Sequence, residues 1–502
     1  MEKVLKVIEI INMYTKNELV ETEEHIYNIL NNLTEEEWQV LWDQASGLEN
    51  NKIKIILCME STLRIPSIEK YEELLLMLIN CDDYTWDEKY YLYWQVVDQL
   101  FRKSKYENDE IIKLKYELYR NIYKEYAKNF EGLKKIEKRN KNLVLVTVQQ
   151  FLSMIHAPTK TTLDRAYVLK KILGKQVIII NTAEQYGGKR VPFPSAIEGT
   201  YIDYIDSQIM YKDTNFPYMQ FDNNMPNIES SRELIHFVQK YKPEYIVNVG
   251  GNSLLMDLCN EIIPVLNINT VSTLVCTDAY IQSIGRKLNL NEEELLKYMN
   301  KTKDNIIEGR FTLMLQPQKY TFSRKQLDIA EKTFIMTVVG TRLTDEITEE
   351  FIKALHPAFE QNAMLFIIGN MNTYEEYCKK DSLFRNHAVY LGIQEDLLAL
   401  IELCDLYVNP NRIGGGISAI NAIYKGCPVV TLRNGDVATN VGSDFCVETY
   451  EEMSQNILKY MNEKEYYNEM SNKALIQAEK VLDSNTAFTE IIDEFERRVK
   501  KW

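Results

Sequence analysis

Three consecutive glycines, Gly414 to Gly416, stand in the stretch NPNRIGGGISAINAIYKGCPVVTL, after an apolar run that ends near Pro410. Ile417, Ile420 and Ile423 then recur at helical spacing, and Gly426 supplies a stop. Glycines immediately ahead of a helix leave free backbone N–H groups and the positive end of the helix dipole open to a closely approaching anion. That is the chemistry a diphosphate requires, and the same residues are equally compatible with a plain tight turn from strand to helix. Gly414-x-Gly416-x-x-Ala419, with Asp436 twenty residues after Gly416, also loosely matches a dinucleotide fingerprint. Against that use, Asn411 to Ile413 separate strand from glycines, and the motif sits near the end of the chain rather than at the opening of a domain.

A second group of reactive residues lies in VTVQQFLSMIHAPTKTTLDRA. His156 is in a loop between a strand and a helix starting near Thr161, which faces the imidazole toward the carboxyl edge of a sheet, and a group titrating near 6.5 suits proton transfer. Gln150, Thr159 and Lys160 stand at the same mouth. Asn252 and Ser253, in NVGGNSLLMD, follow another strand and offer either sugar contacts or a helix cap. Asp278, in CTDAYIQSIGR, is an alternative proton acceptor within a polar and aromatic loop.

These residues need a scaffold of alternating strands and helices, and the sequence provides one. Residues 1–140 have almost no glycine or proline and read as amphipathic helices such as YEELLLMLI. After the charged run LKKIEKRNKN, short buried strands alternate with helices, the pattern of a parallel sheet covered on both faces. Strands are predicted at 143–148, 176–181, 245–250 and 269–275, then at 334–340, 364–369, 388–392, 406–410 and 428–432. The polar, helix-poor stretch 313–328 divides the two sets. The fold class is therefore α/β, with two Rossmann-like doubly wound parallel sheets preceded by an all-α domain. The domains are expected at 1–140, 141–325 and 326–502, with ligand in the cleft between the two sheets and helices from 451 onward crossing back toward the first.

A chain of 502 residues with 45% apolar and 26% charged residues is that of a globular protein with several domains. Its formal charge of −15 disfavours nucleic acid as a partner. No stretch reaches the roughly 18 apolar residues of a membrane span, and the amino terminus lacks the pattern of a signal peptide, so a cytoplasmic location is expected. Eight cysteines without a C-x-x-C pair and five unpaired histidines suggest reduced core thiols and no protein-bound metal.

Taken in order, VVGTRL, LFIIG, AVYLGIQEDLLALIELCDLYVNPN and GGGISAINAIYKGCPVVTLRNGDVATNVGSDF resemble the carboxyl-terminal domain of GT-B glycosyltransferases. Within that group GCPVVTLRNGDVATNVGSDF is similar to the O-GlcNAc transferase family and the bacterial cytoplasmic N-glycosyltransferases, and the resemblance covers roughly residues 143–480. It implies a nucleoside-diphosphate sugar, UDP foremost, as co-substrate, no permanently bound cofactor, and transfer of a hexose or N-acetylhexosamine to a protein or glycan acceptor. Gly414, Gly415, Gly416 and Ser418 then correspond to the diphosphate-binding helix start. Gly392 and Ile393 match the segment whose backbone meets the base, and Asp436, Ala438 and Thr439 match a loop lining the nucleotide. Arg342 is placed to neutralise the leaving group and His156 to act as base or to orient the acceptor. Asn421 stands where those families carry an acidic ribose ligand. The paired glutamates of retaining relatives are replaced by Ile413 and Asn421, which implies inversion, and their lysine after the arginine is replaced by Thr344, Asp345 and Glu346. These departures also fit a non-catalytic relative that binds carbohydrate or chaperones a partner transferase. The helical domain is expected to recruit an acceptor, a partner subunit or a second copy of the chain, its tyrosines and tryptophans serving either as contacts or as core.

Overall fold

The computed structural model describes all residues except 1, 16–22, 153–155, 185–190, 192–207, 222–224, 280, 290, 314, 316, 328 and 501. Its amino-terminal region is helical throughout the described residues, from Glu2–Thr15 to Asp109–Ala127. Local chemistry sets the helix boundaries. Thr34 and Thr85 each form a capping box with the glutamate three residues on, and Asn50, Ser67 and Asn108 accept a backbone N–H at the starts of their helices.

Two sheets follow. The first contains β1 (Asn140–Val148), β2 (Gln176–Asn181), β3 (Gln208–Tyr211), β4 (Thr214–Gln220), β5 (Pro243–Val249), β6 (Val265–Ile268), β7 (Ile281–Ile284) and β8 (Ile306–Glu308) in the order β3-β4-β2-β1-β5-β6-β7-β8. All neighbours are parallel except the β3–β4 hairpin at one edge. The second sheet contains β9 (Ile335–Gly340), β10 (Met364–Gly369), β11 (Ala388–Gly392), β12 (Leu406–Asn409), β13 (Val429–Leu432) and β14 (Cys446–Val447), wholly parallel in the order β11-β10-β9-β12-β13-β14. Strand order reverses between β1 and β5 in one sheet and between β9 and β12 in the other, and at such points ligands bind outside the carboxyl ends of the strands.

The predicted strand at 269–275 is a loop instead. Asn269 folds its side-chain amide onto the Thr273 carbonyl and Gln282, and Ser272 reaches the other half of the molecule, so the segment's polar groups are consumed away from a sheet ladder. Strand β6, between β5 and β7, lies just before it. β3, β4, β6, β7, β8 and β14 were not anticipated, being short or half-exposed.

Side-chain alternation along β1 assigns its two faces. Leu143 and Leu145 join Ile180 and Ile246 in one apolar cluster that is continuous with the helical region, whereas Val144, Val146 and Val148 pack on the opposite face with Phe488, Ile491 and Phe495. The helical region therefore shares a core with the first sheet. Tyrosine is the residue of that interface: Tyr90, Tyr93, Tyr116, Tyr119, Tyr123 and Tyr126 bury their rings, and their hydroxyls donate to Glu184, Asn252, the Met299 carbonyl, Asp257, Glu261 and Ser231. A ring that fills a core while its hydroxyl finds a partner suits a contact between two layers. The carboxyl-terminal helix Ser484–Val499 crosses back onto the first sheet, as the sequence suggested, with Tyr245 donating to Glu496. Among the described residues, no helix is long and apolar enough to cross a membrane.

Candidate active site

The glycine motif connects β12 to the helix Gly416–Tyr424, beside the reversal point of the second sheet. Gly415 occupies the position preceding the helix at φ +95°, in the left-handed region that disfavours any residue with a Cβ. The lack of side chains here is also a matter of space. A Cβ on Gly415 would lie 2.6 Å from Arg412 Cζ, one on Gly416 2.3 Å from Asn440 Nδ2, and one on Gly414 2.7 Å from Arg342 Nη2. The glycines thus let the chain pass between two arginines and a neighbouring helix.

Arg342 follows β9, on the other side of the same reversal point, and caps the short helix Leu343–Glu346. Its Nη2 lies 3.1 Å from Glu346 Oε1, its guanidinium lies over the Phe101 ring at 4.6 Å, and its buried Nε lacks a hydrogen-bond partner. Arg412 lies deeper, with only 3% of its side chain exposed. It donates to Glu346 Oε2 at 2.7 Å, the Val339 carbonyl at 2.8 Å, the Tyr407 hydroxyl at 2.9 Å and Asn409 Oδ1 at 2.8 Å. Glu346 consequently serves two arginines beside the glycine loop, with Asp436 also within electrostatic reach of both. Arg412 was within the quoted motif, but its role was missed because burial, not spacing, defines it.

Ser418 is anchored between the Tyr407 hydroxyl and the Gly415 carbonyl, each at 2.8 Å, which ties the first helical turn to β12. Asn421 is buried one turn further on and donates to the Ile417 carbonyl of its own helix at 2.8 Å. Asp436 begins the adjoining helix Gly435–Val441, and its Oδ1 accepts from the Ser272 N–H at 2.8 Å, which bridges the two sheets' domains. Burial pushes its carboxyl up to about 6. Ala438 and Thr439 lie on the same helix, with the Thr439 hydroxyl donating to the Gly435 carbonyl at 3.1 Å. Asn440 presents a buried Nδ2 without a hydrogen-bond partner against Gly416. Gly392, at φ +64° with open space around it, and the exposed Ile393 lie at the carboxyl end of β11. That strand is two places from β9, or about 10 Å along the same edge.

In the first half, His156, Thr159 and Lys160 come together on the opening turn of the helix Ala157–Tyr167, with Gln150 half-buried just after β1. The helix starts four residues earlier than the sequence suggested, with Pro158 in its first turn. His156 Nδ1 lies 3.2 Å from the Thr159 hydroxyl oxygen, which also accepts from the Leu152 N–H at 2.9 Å. Burial lowers the imidazole to about 4 and also lowers Lys160. The ring is neutral at physiological pH and has a lone pair to offer.

The remaining first-half candidates are placed otherwise. Ser253 caps the helix Leu254–Asn260 through the Met256 N–H and donates to Glu184, a buried carboxyl raised to about 7 by desolvation. Asn252 accepts from Tyr93 at 3.3 Å while its Nδ2 stays buried without a hydrogen-bond partner. Asp278 pairs with Arg120 of the helix Asp109–Ala127, so its carboxylate is directed at the helical layer and not brought to His156. Desolvation outweighs favourable contacts at the nearby Asp257, raising it to about 6. Among the described residues, no group of three or more histidine, cysteine, aspartate or glutamate side chains could hold a metal ion.

Residues 319–476 match the family model described as Glycosyl transferases group 1. No curated protein matches the chain. Solved structures of similar fold include a mutant O-GlcNAc transferase from Thermobaculum terrenum, with TM-score 0.59 and 12% identity over 99% of this chain and 97% of that one. A glycosyltransferase from Rickettsia africae gives TM-score 0.51 and 14% identity over 72% of this chain and all of its own. HepE from Anabaena in complex with UDP gives 0.50 and 12% over 70% and 99%. At these identities the likeness is one of fold, and the fold is GT-B. The first of these matches extends through the helical region as well. The group 1 domain and the GT-B architecture together support a transferase of glycosyl groups.

Proposed function

From a GT-B fold carrying a group 1 glycosyltransferase domain over residues 319–476, we propose that this protein transfers a hexose or N-acetylhexosamine from a nucleoside-diphosphate sugar, UDP foremost, to a protein or glycan acceptor with inversion. The supporting observation is the meeting of Arg342 and the glycine loop at one reversal point, 2.7 Å from Arg342 Nη2 to the place a Gly414 Cβ would occupy. A diphosphate seated there receives the amides of Gly415 and Gly416 and a guanidinium that is held by Glu346 and Phe101.

The acceptor nucleophile attacks the anomeric carbon as the bond from that carbon to the diphosphate oxygen breaks. His156 takes the proton released by the acceptor. The nucleoside diphosphate departs with its new negative charge stabilised by Arg342 and the loop amides, so that the metal's usual electrostatic work is done by the protein. UDP is favoured by the co-crystallised ligand of HepE. Gly392 and Ile393 mark the base end of the site and Asn421 the ribose.

A second reading, a relative that binds a donor or carbohydrate without turning it over, is favoured by one observation. The Asn421 amide donates into its own helix where a ribose ligand is expected. Incubation with radiolabelled UDP-glucose and UDP-N-acetylglucosamine, with and without an acceptor library, separates the two. Release or transfer of sugar by the wild type, lost in Arg342→Ala, supports transfer. Nucleotide binding with neither hydrolysis nor transfer supports the second reading.

A further inference from the structure

The helix Trp86–Arg102 lies across the carboxyl edges of both sheets. At its start Tyr90 donates to Glu184, beyond β2. Midway Tyr93 meets Asn252, and the Trp94 ring lies 3.5 Å from the place a Gly251 Cβ would take, beyond β5. At its end Phe101 carries the Arg342 guanidinium on its ring at 4.6 Å, and the same Phe101 has its Cζ 3.5 Å from the position of a Gly414 Cβ. Arg102, paired with Asp98 at 2.7 Å, comes within 3.8 Å of Asp345. One side chain of the helical layer therefore touches both the cation and the glycine loop of the donor half.

We propose that Phe101 is a positioning residue for the diphosphate seat, so that the helical layer supplies a wall of the donor site and sets the plane of Arg342. The inference rests on the nucleotide reading above and deepens it. An arginine held by one carboxylate can still rotate. Stacking its flat face on an aromatic ring fixes the plane and leaves the edge N–H groups to meet two oxygens together. The Nε of Arg342 is buried without a hydrogen-bond partner, and its Nη2 is the nitrogen that reaches Gly414. Glu346 is shared with Arg412, Asp345 lies beside Arg102, and Asp436, within electrostatic reach of Arg342, spends its Oδ1 on the Ser272 N–H. By linkage, whatever holds this helix in place tightens nucleotide binding, and bound nucleotide holds the helix in place to the same extent.

The test titrates the full chain with UDP, GDP, ADP and dTDP by calorimetry, and with the parent nucleoside of the best binder by ligand-observed NMR. Phe101→Leu keeps the apolar volume but removes the ring, and Phe101→Tyr keeps the ring. Loss of a partly desolvated cation–π contact weakens the diphosphate about 3- to 30-fold. The expected result is that loss in Phe101→Leu, an unchanged affinity for the nucleoside, and near-normal diphosphate binding in Phe101→Tyr. Unchanged diphosphate affinity in Phe101→Leu overturns the inference. So does an equal loss for diphosphate and nucleoside, which indicates general loosening of the site. If the wild type binds none of the four diphosphates, the proposed function itself falls and this inference with it.

Discussion

Replacing Gly415 with alanine tests how the glycine loop is held. At φ +95° the new residue would occupy the left-handed region, which costs a residue with a Cβ about 1–2 kcal/mol. Its Cβ would also meet Arg412 Cζ, Nη2 and Nε at 2.6–2.7 Å. Arg412 cannot retreat freely, because its guanidinium is bonded to Glu346, Val339, Tyr407 and Asn409. Losing one charged hydrogen bond adds about 1.5–3 kcal/mol, for a total of about 2.5–5 kcal/mol if the loop stays in place. If the loop moves instead, the amides facing the diphosphate are misplaced and affinity falls about 10- to 100-fold. Gly174→Ala is the control, since Gly174 is at φ +68° with nothing within 4 Å of a Cβ and precedes β2, away from the glycine loop, leaving only the conformational cost. Urea-unfolding midpoints and UDP titrations of both variants would be compared. If Gly415→Ala matches Gly174→Ala in both, Arg412 is not what fixes the loop.

Three further outcomes follow from the same geometry. Glu346→Gln leaves the buried Arg412 without its counter-charge and should destabilise the protein by about 3–5 kcal/mol, read by calorimetric unfolding; a neutral effect would mean the pair is solvated. His156 titrates near 4 when folded and near 6.5 when unfolded, so the unfolded chain gains its proton first. Its contribution to stability is present at neutral pH and lost as pH falls from about 6.5 to about 4, a slope that His156→Asn should abolish. If His156 is the base, the acid limb of free-enzyme turnover also lies near 4, and full activity in His156→Ala removes it from the mechanism. Asp436 has the opposite sign, its folded pKa of about 6 exceeding the unfolded value near 3.9. The folded chain holds the extra proton, so stability falls as pH rises through that window. Asp436→Asn, which can still accept from Ser272, should gain in melting temperature relative to wild type between pH 4 and 6 and hold that gain above it; a pH-independent difference would refute this.

The glycine loop was legible because three facts coincided in one short segment: the end of a strand, bare backbone and the start of a helix. Arg342 was placed by its position after a strand, and the structure brings it to that loop. Periodicity located the long strands β1, β2 and β5 and most of the second sheet, since strands buried on both faces read as unbroken apolar runs. It failed at 269–275, where Asn269, Ser272 and Thr273 spend their polar groups on side-chain and interdomain bonds. Tyrosines at helical spacing did not reveal that their hydroxyls join two layers, because their partners, such as Asp257 and Glu261, are more than a hundred residues away. Phe101 was invisible for the same reason. Nothing local to helix Trp86–Arg102 indicates that its last turn lies under an arginine of the opposite half.

Everything proposed for this protein depends on a diphosphate seat formed by Arg342 and the glycine loop. Its most direct test is calorimetric titration of UDP, GDP, ADP and dTDP into the wild type and into Arg342→Ala. At least one diphosphate is expected to bind the wild type, and the variant to bind it about 10- to 100-fold more weakly, the loss of a charged hydrogen-bonding group. Absence of binding by all four at millimolar concentration, or equal affinity in the variant, would contradict it.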